Sequence, residues 1–341
     1  MTAPSELTTS TDMSRFGIMH LKRYWAKALA NRQGQLAGNA FAGENDLDSA
    51  LLSALNLGLE PTIQYLYLTA PTFPEFEDWI QMTVGGLPDA SKVAAFNAQL
   101  AGTSWIAPTG DGMTELTLSA EDLAHWDRYG YVVINNAVST QDCDQTIELI
   151  CDFLSIDRYR PETWYNAHPG KQGIMVQLFQ HPLLTRNRES SRIRAAYEQL
   201  WGRTDLWVTT DRVGFNPPET ANWSFPGPRL HWDVRLDQPV PFGLQGLLYL
   251  SDTQAHQGAF TLVPAFQHRL ATWLARLPPR ADPQMQDLTE LGPVPIAGNA
   301  GDFILWHHAL PHGSSPNTAK EPRFVQYINY APIVSQKMTD R

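Results

Sequence analysis

The spacing of hydrophobic residues changes along the chain. Between residues 13 and about 102, apolar positions such as Phe16, Met19 and Leu29 recur near the period of an amphipathic helix. From about residue 205, β-branched and aromatic residues come in short runs separated by Pro, Gly and Asn. Such runs are typical of antiparallel strands. The pattern predicts a helical region followed by a β-rich one.

The first region contains four helical stretches and a capping signal. Thr72 and Glu75 match a capping box, with Pro74 in the first turn. We expect residues 13–102 to form a helical subdomain packed on the β domain, after a disordered tail at 1–12. The Gly- and Thr-rich segment 103–116 is the expected linker. The four stretches are MSRFGIMHLKRYWAKALANRQ, DLDSALLSALNLGL ended by Gly58, FEDWIQM and DASKVAAFNAQL.

The remainder of the chain predicts a mainly β domain with flanking helices. Ser119 and Ser139 each open a capped helix, and the strand YVVI lies between these helices. Many short strands with turn signals predict a jelly roll over residues 117–332, followed by a tail at 333–341. The predicted strands of the barrel are LWVTTDRVGF, LQGLLYL, AFTLVP, DFILWH and RFVQYINY.

Composition excludes several classes of function. The formal net charge is −10 and the chain has no Lys/Arg cluster, which argues against nucleic-acid partners and anionic membranes. Two cysteines cannot build a disulfide framework, and no apolar run approaches a membrane span. We expect a cytoplasmic protein that acts on a small molecule, and we leave a homodimer open.

A His-x-Asp pair is the first candidate for chemistry. If RLHWDVRL is a strand, His231 and Asp233 point to one face and Trp232 points to the core on the other. A second histidine, His312, follows a predicted strand and precedes a Gly-Ser-Ser-Pro-Asn turn. Two histidines and one carboxylate make the facial triad of non-haem iron(II) oxygenases. Taken alone, His-x-Asp is more often a hydrogen-bonded surface pair.

Arg323 adds a candidate for anion binding. It comes eleven residues after His312, at the start of the next predicted strand. An antiparallel return across the turn would bring the two residues close together. The planar guanidinium suits a carboxylate, here the distal one of 2-oxoglutarate. The alternative is a surface arginine after a turn.

Residues from about 117 to 332 resemble the phytanoyl-CoA dioxygenase family of iron(II)/2-oxoglutarate oxygenases. The resemblance departs from the family pattern once, where Pro264-Ala-Phe-Gln-His268 is one residue longer than the usual motif and Ala265 replaces a glycine. Four segments carry the resemblance, and they occur in the same order as in the family. They are LSAEDLAHWDRYGYVVINNAVSTQDCDQTIELICDFL, RLHWDV, GAFTLVPAFQH and GDFILWHHALPHGSSPN with PRF.

The resemblance implies a double-stranded β-helix, a cupin-like jelly roll, that uses Fe(II), 2-oxoglutarate and O₂. It implies that His231, Asp233 and His312 bind iron, and that Arg323 and Ser314 bind the distal carboxylate of 2-oxoglutarate. The expected reaction is hydroxylation of an unactivated C–H bond, with release of succinate and CO₂. Two alternatives stay open, a non-catalytic jelly-roll binding module and a cupin-like metalloenzyme that does not use 2-oxoglutarate.

Other residues are candidates for the pocket or its surroundings. Thr210, Gln245 and Tyr249 lie on predicted strands, and Gln177 precedes the barrel. Each is a candidate pocket-lining residue, with ordinary core packing as the alternative. We expect His307 to support a ligand or to pack, and His268 to anchor the loop after Pro264. The substrate is not defined by the sequence, since acyl-CoAs, amino acids and other metabolites all remain open.

Overall fold

The computed structural model describes residues 7–36, 40–103, 117–227, 229–236 and 240–333. The α-helices in these ranges are α1 (Leu21–Arg32), α2 (Asn45–Ala54), α3 (Leu59–Thr69), α4 (Phe73–Thr83), α5 (Ala90–Leu100), α6 (Ala120–Tyr129), α7 (Thr140–Leu154), α8 (Pro182–Arg188), α9 (Ser191–Trp201) and α10 (Leu270–Arg276). The strands are β1 (Tyr131–Ile134), β2 (Lys171–Gln172), β3 (Met175–Val176), β4 (Leu206–Val208), β5 (Val213–Asn216), β6 (Leu244–Tyr249), β7 (Phe260–Leu262), β8 (Val294–Pro295), β9 (Phe303–His307), β10 (His312–Ser314), β11 (Arg323–Tyr327) and β12 (Tyr330–Pro332).

The predicted helix caps are confirmed. The carboxylate of Glu75 accepts a hydrogen bond from the backbone N–H of Thr72 at 2.7 Å. The hydroxyl groups of Ser119 and Ser139 each accept from the backbone N–H three residues later, at 3.1 Å. These bonds satisfy N–H groups that have no partner inside the helix, which is why α4, α6 and α7 begin where they do.

Helices α3, α8, α9 and α10 were missed by the sequence pattern. The stretch expected to end at Gly58 ends earlier, at Ala54, and Gly58 is instead the N-cap residue of α3. The sequence of α3 alternates Tyr and Leu at Tyr65–Leu68, and this alternation imitates a strand. Packing overrides that local preference, because Thr62 and Leu66 lie one turn apart and are both fully buried.

The chain divides into two compact units. The first contains the described residues of 1–113, 203–211 and 330–341, and the second contains those of 114–202 and 212–329. The predicted strand LWVTTDRVGF is therefore wrong as one element, since β4 belongs to the first unit and β5 to the second. The linker 103–116 and the C-terminal tail lie almost wholly outside the described residues. The predicted domain boundaries and the packing of the helical block stay predictions.

The first unit combines α1–α5 with the antiparallel pair β12–β4. Its core contains Leu51, Phe76 and Phe96, each fully buried, and the ring of Trp207 from β4. The indole N–H of Trp207 donates to Gln99 of α5. Ser10, which falls in the expected disordered tail, already accepts a backbone hydrogen bond from His20 at 2.8 Å.

The second unit is a jelly roll of two antiparallel sheets. The larger sheet has the order β1-β9-β6-β11-β5-β3-β2, and the smaller has the order β10-β7-β8. One hydrophobic cluster contains Leu247 and Val325 of the larger sheet together with Phe260 and Leu262 of the smaller. The core therefore lies between the sheets, and the fold class predicted from the sequence is confirmed.

Strand alternation determines which residues of the larger sheet face this core. In the ladder between β6 and β9, Gln245 pairs with Trp306. Tyr249, four residues further along β6, shares that face and pairs with Val325 of β11. Gly246 faces the other way, where a Cβ atom would lie 2.2 Å from the ring of Phe303. The inner face of β6 thus presents Gln245 and Tyr249 to the core.

Across the part of the chain that the structure describes, no helix is both long enough and apolar enough to cross a membrane.

Candidate metal centre

Three predicted ligands converge in the jelly roll. The Nε2 atom of His231 lies 3.3 Å from Oδ1 of Asp233, and the Nε2 atom of His312 lies 3.2 Å from Oδ2. One ligand atom from each residue can be chosen so that all three lie within 4.8 Å of one another. The three side chains thus form a compact cluster of two imidazoles and one carboxylate.

The segment that carries His231 and Asp233 is not the predicted strand. His231 forms an isolated bridge with His312, through backbone hydrogen bonds of 2.9 and 3.0 Å, and no regular ladder extends from it. The bridge adds this segment to the free edge of β10. The two side chains still converge, as alternation predicts, and Trp232 turns into the core, where its indole donates to the carbonyl of Ala309.

Backbone carbonyl groups fix the tautomer of both histidines. Nδ1 of His231 lies 2.7 Å from the carbonyl oxygen of Arg229, and Nδ1 of His312 lies 3.0 Å from that of Leu310. A carbonyl only accepts, so each Nδ1 donates to it, and each Nε2 is left facing the Asp233 carboxylate. A metal bound there would replace the proton on Nε2, and imidazoles held in this way are ready metal ligands.

The charge state of the cluster suits a cation. Burial opposes ionisation of Asp233, but hydrogen bonds from His231, His312 and Gln245 hold the pKa of its carboxyl well below the usual range. Burial also opposes protonation of His231, and the hydrogen bond to Asp233 more than offsets it, so the pKa of His231 is raised. A permanent carboxylate between two imidazoles is a donor set that fits a divalent transition metal.

Gln245 lies beside the carboxylate of Asp233. Its Nε2 atom donates to Oδ2 of Asp233 at 2.7 Å. The residue was predicted to line the pocket, and the structure instead brings its amide to a candidate ligand. Its place on the inner face of β6 explains the contact.

Arg323 and Ser314 meet, but not by the predicted strand return. β11 pairs with β5 and β6 in the larger sheet, whereas β10 pairs with β7 in the smaller one. The expected antiparallel pairing across the turn is therefore wrong. The contact crosses the interior of the jelly roll, where an Nη atom of Arg323 donates to the hydroxyl of Ser314 at 3.1 Å. Ser314 and His312 are two residues apart on β10, so their side chains point to the same face and their Cα atoms lie about 7 Å apart.

The guanidinium of Arg323 is fully buried and incompletely paired. Its Nε and Nη1 atoms have no hydrogen-bond partner among the described residues. A buried charge of this kind is costly unless an anion and further hydrogen bonds compensate it. The unpaired donors, close to a candidate metal centre, fit a ligand that carries a carboxylate.

Tyr249 is a core residue and not an open pocket wall. Its hydroxyl donates to the carbonyl of Ile296 and accepts from the backbone N–H of Phe260, which ties β6 to the smaller sheet. Burial raises the pKa of Tyr249 to about 12, against the lowering effect of the Arg323 charge. The phenol therefore stays protonated and structural.

Two other pocket candidates lie elsewhere. Thr210 belongs to the first unit, where its hydroxyl donates to the side chain of Asn56 at 3.1 Å. Gln177 follows β3 and donates to the side chain of Gln172 at 3.2 Å, in an exposed position. Neither of these hydrogen bonds involves a residue of the triad.

The remaining histidines near the site act in packing and anchoring. His307 lies on the opposite face of β9 from Trp306 and contacts the rings of Trp126 and Phe242. Burial, with smaller contributions from neighbouring histidines, lowers its pKa to about 4. His268 lies 2.8 Å from the carbonyl of Asp127, so it anchors the loop after Pro264 to α6.

Ala265 occupies the position where the resemblance to the family leads to an expectation of glycine. Its φ angle is +60°, in the left-handed region that favours glycine. The alanine therefore retains the turn at a cost in backbone strain.

Gln284 was missed by sequence reasoning. It lies in a single 3₁₀ turn (Pro283–Met285) between β7 and β8, and its amide forms three hydrogen bonds to the backbone around Asp233. No spacing rule connects residues 233 and 284, so the sequence offered no signal. Gln284 and Asp233 also line a cavity of about 430 Å³, together with Arg235 and Asp282.

Comparison with known proteins agrees with the geometry. The sequence profile of the phytanoyl-CoA dioxygenase family (PhyH) matches residues 126–325, which is more than half of the chain. A curated protein of Dictyostelium discoideum named "Putative phytanoyl-CoA dioxygenase" is 24% identical over 259 residues, covering 61% of this chain and 74% of that protein.

Solved structures show a more distant likeness. EctD from S. alaskensis, with 2-oxoglutarate and 5-hydroxyectoine, is 18% identical at a TM-score of 0.47, covering 66% of this chain and 79% of that one. HygX from Streptomyces hygroscopicus, with nickel and 2-oxoglutarate, is 17% identical at a TM-score of 0.45, covering 63% and 88%. The family match includes the triad and the start of β11, and on that basis the chain belongs to the phytanoyl-CoA dioxygenase family.

Proposed function

We propose that the chain is an Fe(II)- and 2-oxoglutarate-dependent oxygenase that hydroxylates an unactivated C–H bond of a small-molecule metabolite. The observation that carries the proposal is the buried guanidinium of Arg323, whose Nε and Nη1 atoms have no partner among the described residues. It contacts Ser314, two residues from the candidate ligand His312. A metal centre with a neighbouring carboxylate site suits a chelating 2-oxo diacid.

The position of each residue indicates its role. Nε2 of His231, Nε2 of His312 and one oxygen of Asp233 would hold iron(II) on one face, which leaves three coordination positions for 2-oxoglutarate and O₂. Arg323 and Ser314 would bind the distal carboxylate and set the direction of the 2-oxo acid. The iron supplies the oxidising chemistry, in which 2-oxoglutarate, O₂ and the substrate C–H bond yield succinate, CO₂ and an alcohol.

The 430 Å³ cavity beside Asp233 offers room for the substrate. Its apolar lining residues include Trp232, Val234 and Leu236, and its charged ones include Arg235 and Asp282. Most small-molecule pockets combine apolar walls with a few polar groups in this way. The family name does not identify the substrate as phytanoyl-CoA, and an acyl-CoA, an amino acid and another metabolite all remain candidates.

Succinate formation tests the proposal. The purified chain, supplied with iron(II), 2-oxoglutarate, ascorbate and air, should convert 2-oxoglutarate to succinate. Candidate substrates should raise that rate and gain about 16 Da, the mass of one oxygen atom. A binding module, or a metalloenzyme that does not use 2-oxoglutarate, would form no succinate, and that result would refute the proposal.

A further inference from the structure

The carboxylate of Asp233 lies on irregular backbone near solvent. A single isolated bridge at His231 joins this segment to β10, and the side chain of Asp233 is 52% exposed. A side chain in such a position samples several rotamers unless other groups hold it. Metal ligands, by contrast, are usually held by hydrogen bonds from outside the coordination sphere.

Gln245 holds the side chain of Asp233. Its amide donates to Oδ2 at 2.7 Å from β6, a strand that has β9 and β11 on its two sides. Its Oε1 atom is buried and has no partner among the described residues. If the amide were turned over, that oxygen would face the carboxylate and repel it. The amide orientation is therefore set by its bond to Asp233.

Gln284 holds the backbone on both sides of Asp233. Its Oε1 atom accepts from the N–H of Trp232 at 3.3 Å, and its Nε2 atom donates to the carbonyl of Trp232 at 3.0 Å. Nε2 also lies 3.3 Å from the carbonyl of Val234, which it reaches as a donor. One side-chain amide thus supplies the donor and the acceptor that a neighbouring strand would otherwise provide.

We infer that Gln245 and Gln284 are positioning residues that fix the carboxylate of Asp233 so that only one oxygen binds the metal. Gln245 occupies Oδ2 and leaves Oδ1 for the metal, while Gln284 fixes the backbone. This inference rests on the proposed function. Coordination by both oxygens would fill one of the three positions that 2-oxoglutarate and O₂ require.

The two glutamines should differ in their effects. Loss of Gln245 removes a hydrogen bond made directly to the carboxylate of Asp233. Such losses around a metal ligand cost about 10–100-fold in metal affinity or activity. Loss of Gln284 acts through the backbone and should weaken metal binding less. Both changes should lower kcat beyond what metal saturation restores, since a carboxylate that chelates with both oxygens blocks the position for O₂.

The test compares Ni²⁺ binding by full-length wild type, Gln245→Met and Gln284→Met, using calorimetry on protein first freed of metal by a chelator. Met has nearly the length of Gln and makes no comparable hydrogen bond. The matched control is Gln286→Met, because the Gln286 amide donates to the carbonyl of Asp282 at 2.8 Å and forms no hydrogen bond to Asp233 or its neighbours among the described residues. We expect about 10–100-fold weaker binding for Gln245→Met, a smaller loss for Gln284→Met and no change for the control.

The outcomes separate the inference from the proposed function. Wild type that binds no Ni²⁺ overturns both. Wild type that binds one Ni²⁺, together with Gln245→Met and Gln284→Met variants that bind it equally well, overturns the inference alone. A lower unfolding midpoint of the metal-free variants, with unchanged Ni²⁺ affinity, would likewise show a purely structural role.

Discussion

The described residues contain two clusters in which histidine and carboxylate side chains meet, and only one is built for a metal. In the second unit, the carboxylate in the triad of His231, Asp233 and His312 is bonded to no lysine or arginine among the described residues. In the first unit, His20 lies 2.8 Å from Asp48, with Glu44 beside it. Both clusters bring their potential ligand atoms within 4.8 Å, so distance alone does not distinguish them.

Nearby cations make the difference. In the first unit, Lys27 contacts Asp48 at 2.7 Å and Glu44 at 2.8 Å, and Arg23 contacts Glu44 at 2.7 Å. These cations already neutralise the carboxylates, so the cluster is an ion-pair network that joins α1 to α2. Around the triad, the described residues that bond to the carboxylate of Asp233 are two imidazoles and one amide, so its charge remains for a cation. Metal sites are thus recognised by the charge that the protein leaves uncompensated.

The largest expected effect is loss of the metal. Asp233→Ala should abolish metal binding and succinate formation, because it removes the anionic ligand. The matched variant Asp48→Ala should retain one metal per chain. Metal analysis after loading and gel filtration measures both. A wild type with two metals, or an Asp48→Ala variant without any, would contradict the comparison.

The next effect concerns the anion site. Arg323→Ala should weaken 2-oxoglutarate binding by about 2–5 kcal/mol, the cost of losing one partner of a desolvated charged pair. That cost corresponds to a roughly 30-fold to several thousand-fold higher Michaelis constant. Arg188→Ala is the control, since Arg188 is also buried but donates to the carbonyl of Phe179. An unchanged Michaelis constant for 2-oxoglutarate in Arg323→Ala would show that Arg323 does not bind its distal carboxylate.

Metal should stabilise the protein through the triad alone. At a metal concentration 100 times the dissociation constant, the free energy of unfolding should rise by about 2.7 kcal/mol. Glu44→Gln should show the same increment as wild type, and Asp233→Ala should show none. Denaturant unfolding with and without Ni²⁺ measures this, and an increment that depended on Glu44 would mean that metal also binds the ion-pair network.

The stability that the ion-pair network contributes should instead depend on pH. Burial opposes ionisation of Glu44, but hydrogen bonds from Arg23 and Lys27 lower its pKa to about 2. Because the folded pKa is depressed, the stabilisation is present above the ordinary value of 4.5 and is lost as pH falls towards 2. Glu44→Gln should cost about 1–3 kcal/mol at pH 7. The difference from wild type should shrink below pH 4.5, and a constant difference would contradict this account.

The smallest effect is expected at Ala265, which belongs to neither cluster. Ala265→Gly relieves the strain of a left-handed φ angle at some cost in chain entropy, for a net gain of about 0.5–1 kcal/mol. It should leave metal affinity and the pH response unchanged. Thermal unfolding provides the measurement, and a lower midpoint would show that the turn does not favour glycine.

The sequence predicted those features that depend on local chemistry. The caps at Thr72, Ser119 and Ser139 follow from hydrogen bonds within one turn, and the convergence of His231 and Asp233 follows from alternation. Strand pairing could not be predicted, because β10 and β11 are neighbours in sequence yet lie in different sheets. The sequence also gave no indication of the Gln284 bond, which joins residues some fifty positions apart, or of the cations that neutralise Glu44 and Asp48.

A crystal structure with Ni²⁺ and 2-oxoglutarate would test the central claim most directly. The account predicts one metal bound by Nε2 of His231, Nε2 of His312 and a single oxygen of Asp233. It also predicts that 2-oxoglutarate chelates that metal, with its distal carboxylate on Arg323 and Ser314. Metal bound at His20, Glu44 and Asp48, or 2-oxoglutarate bound away from Arg323, would contradict it.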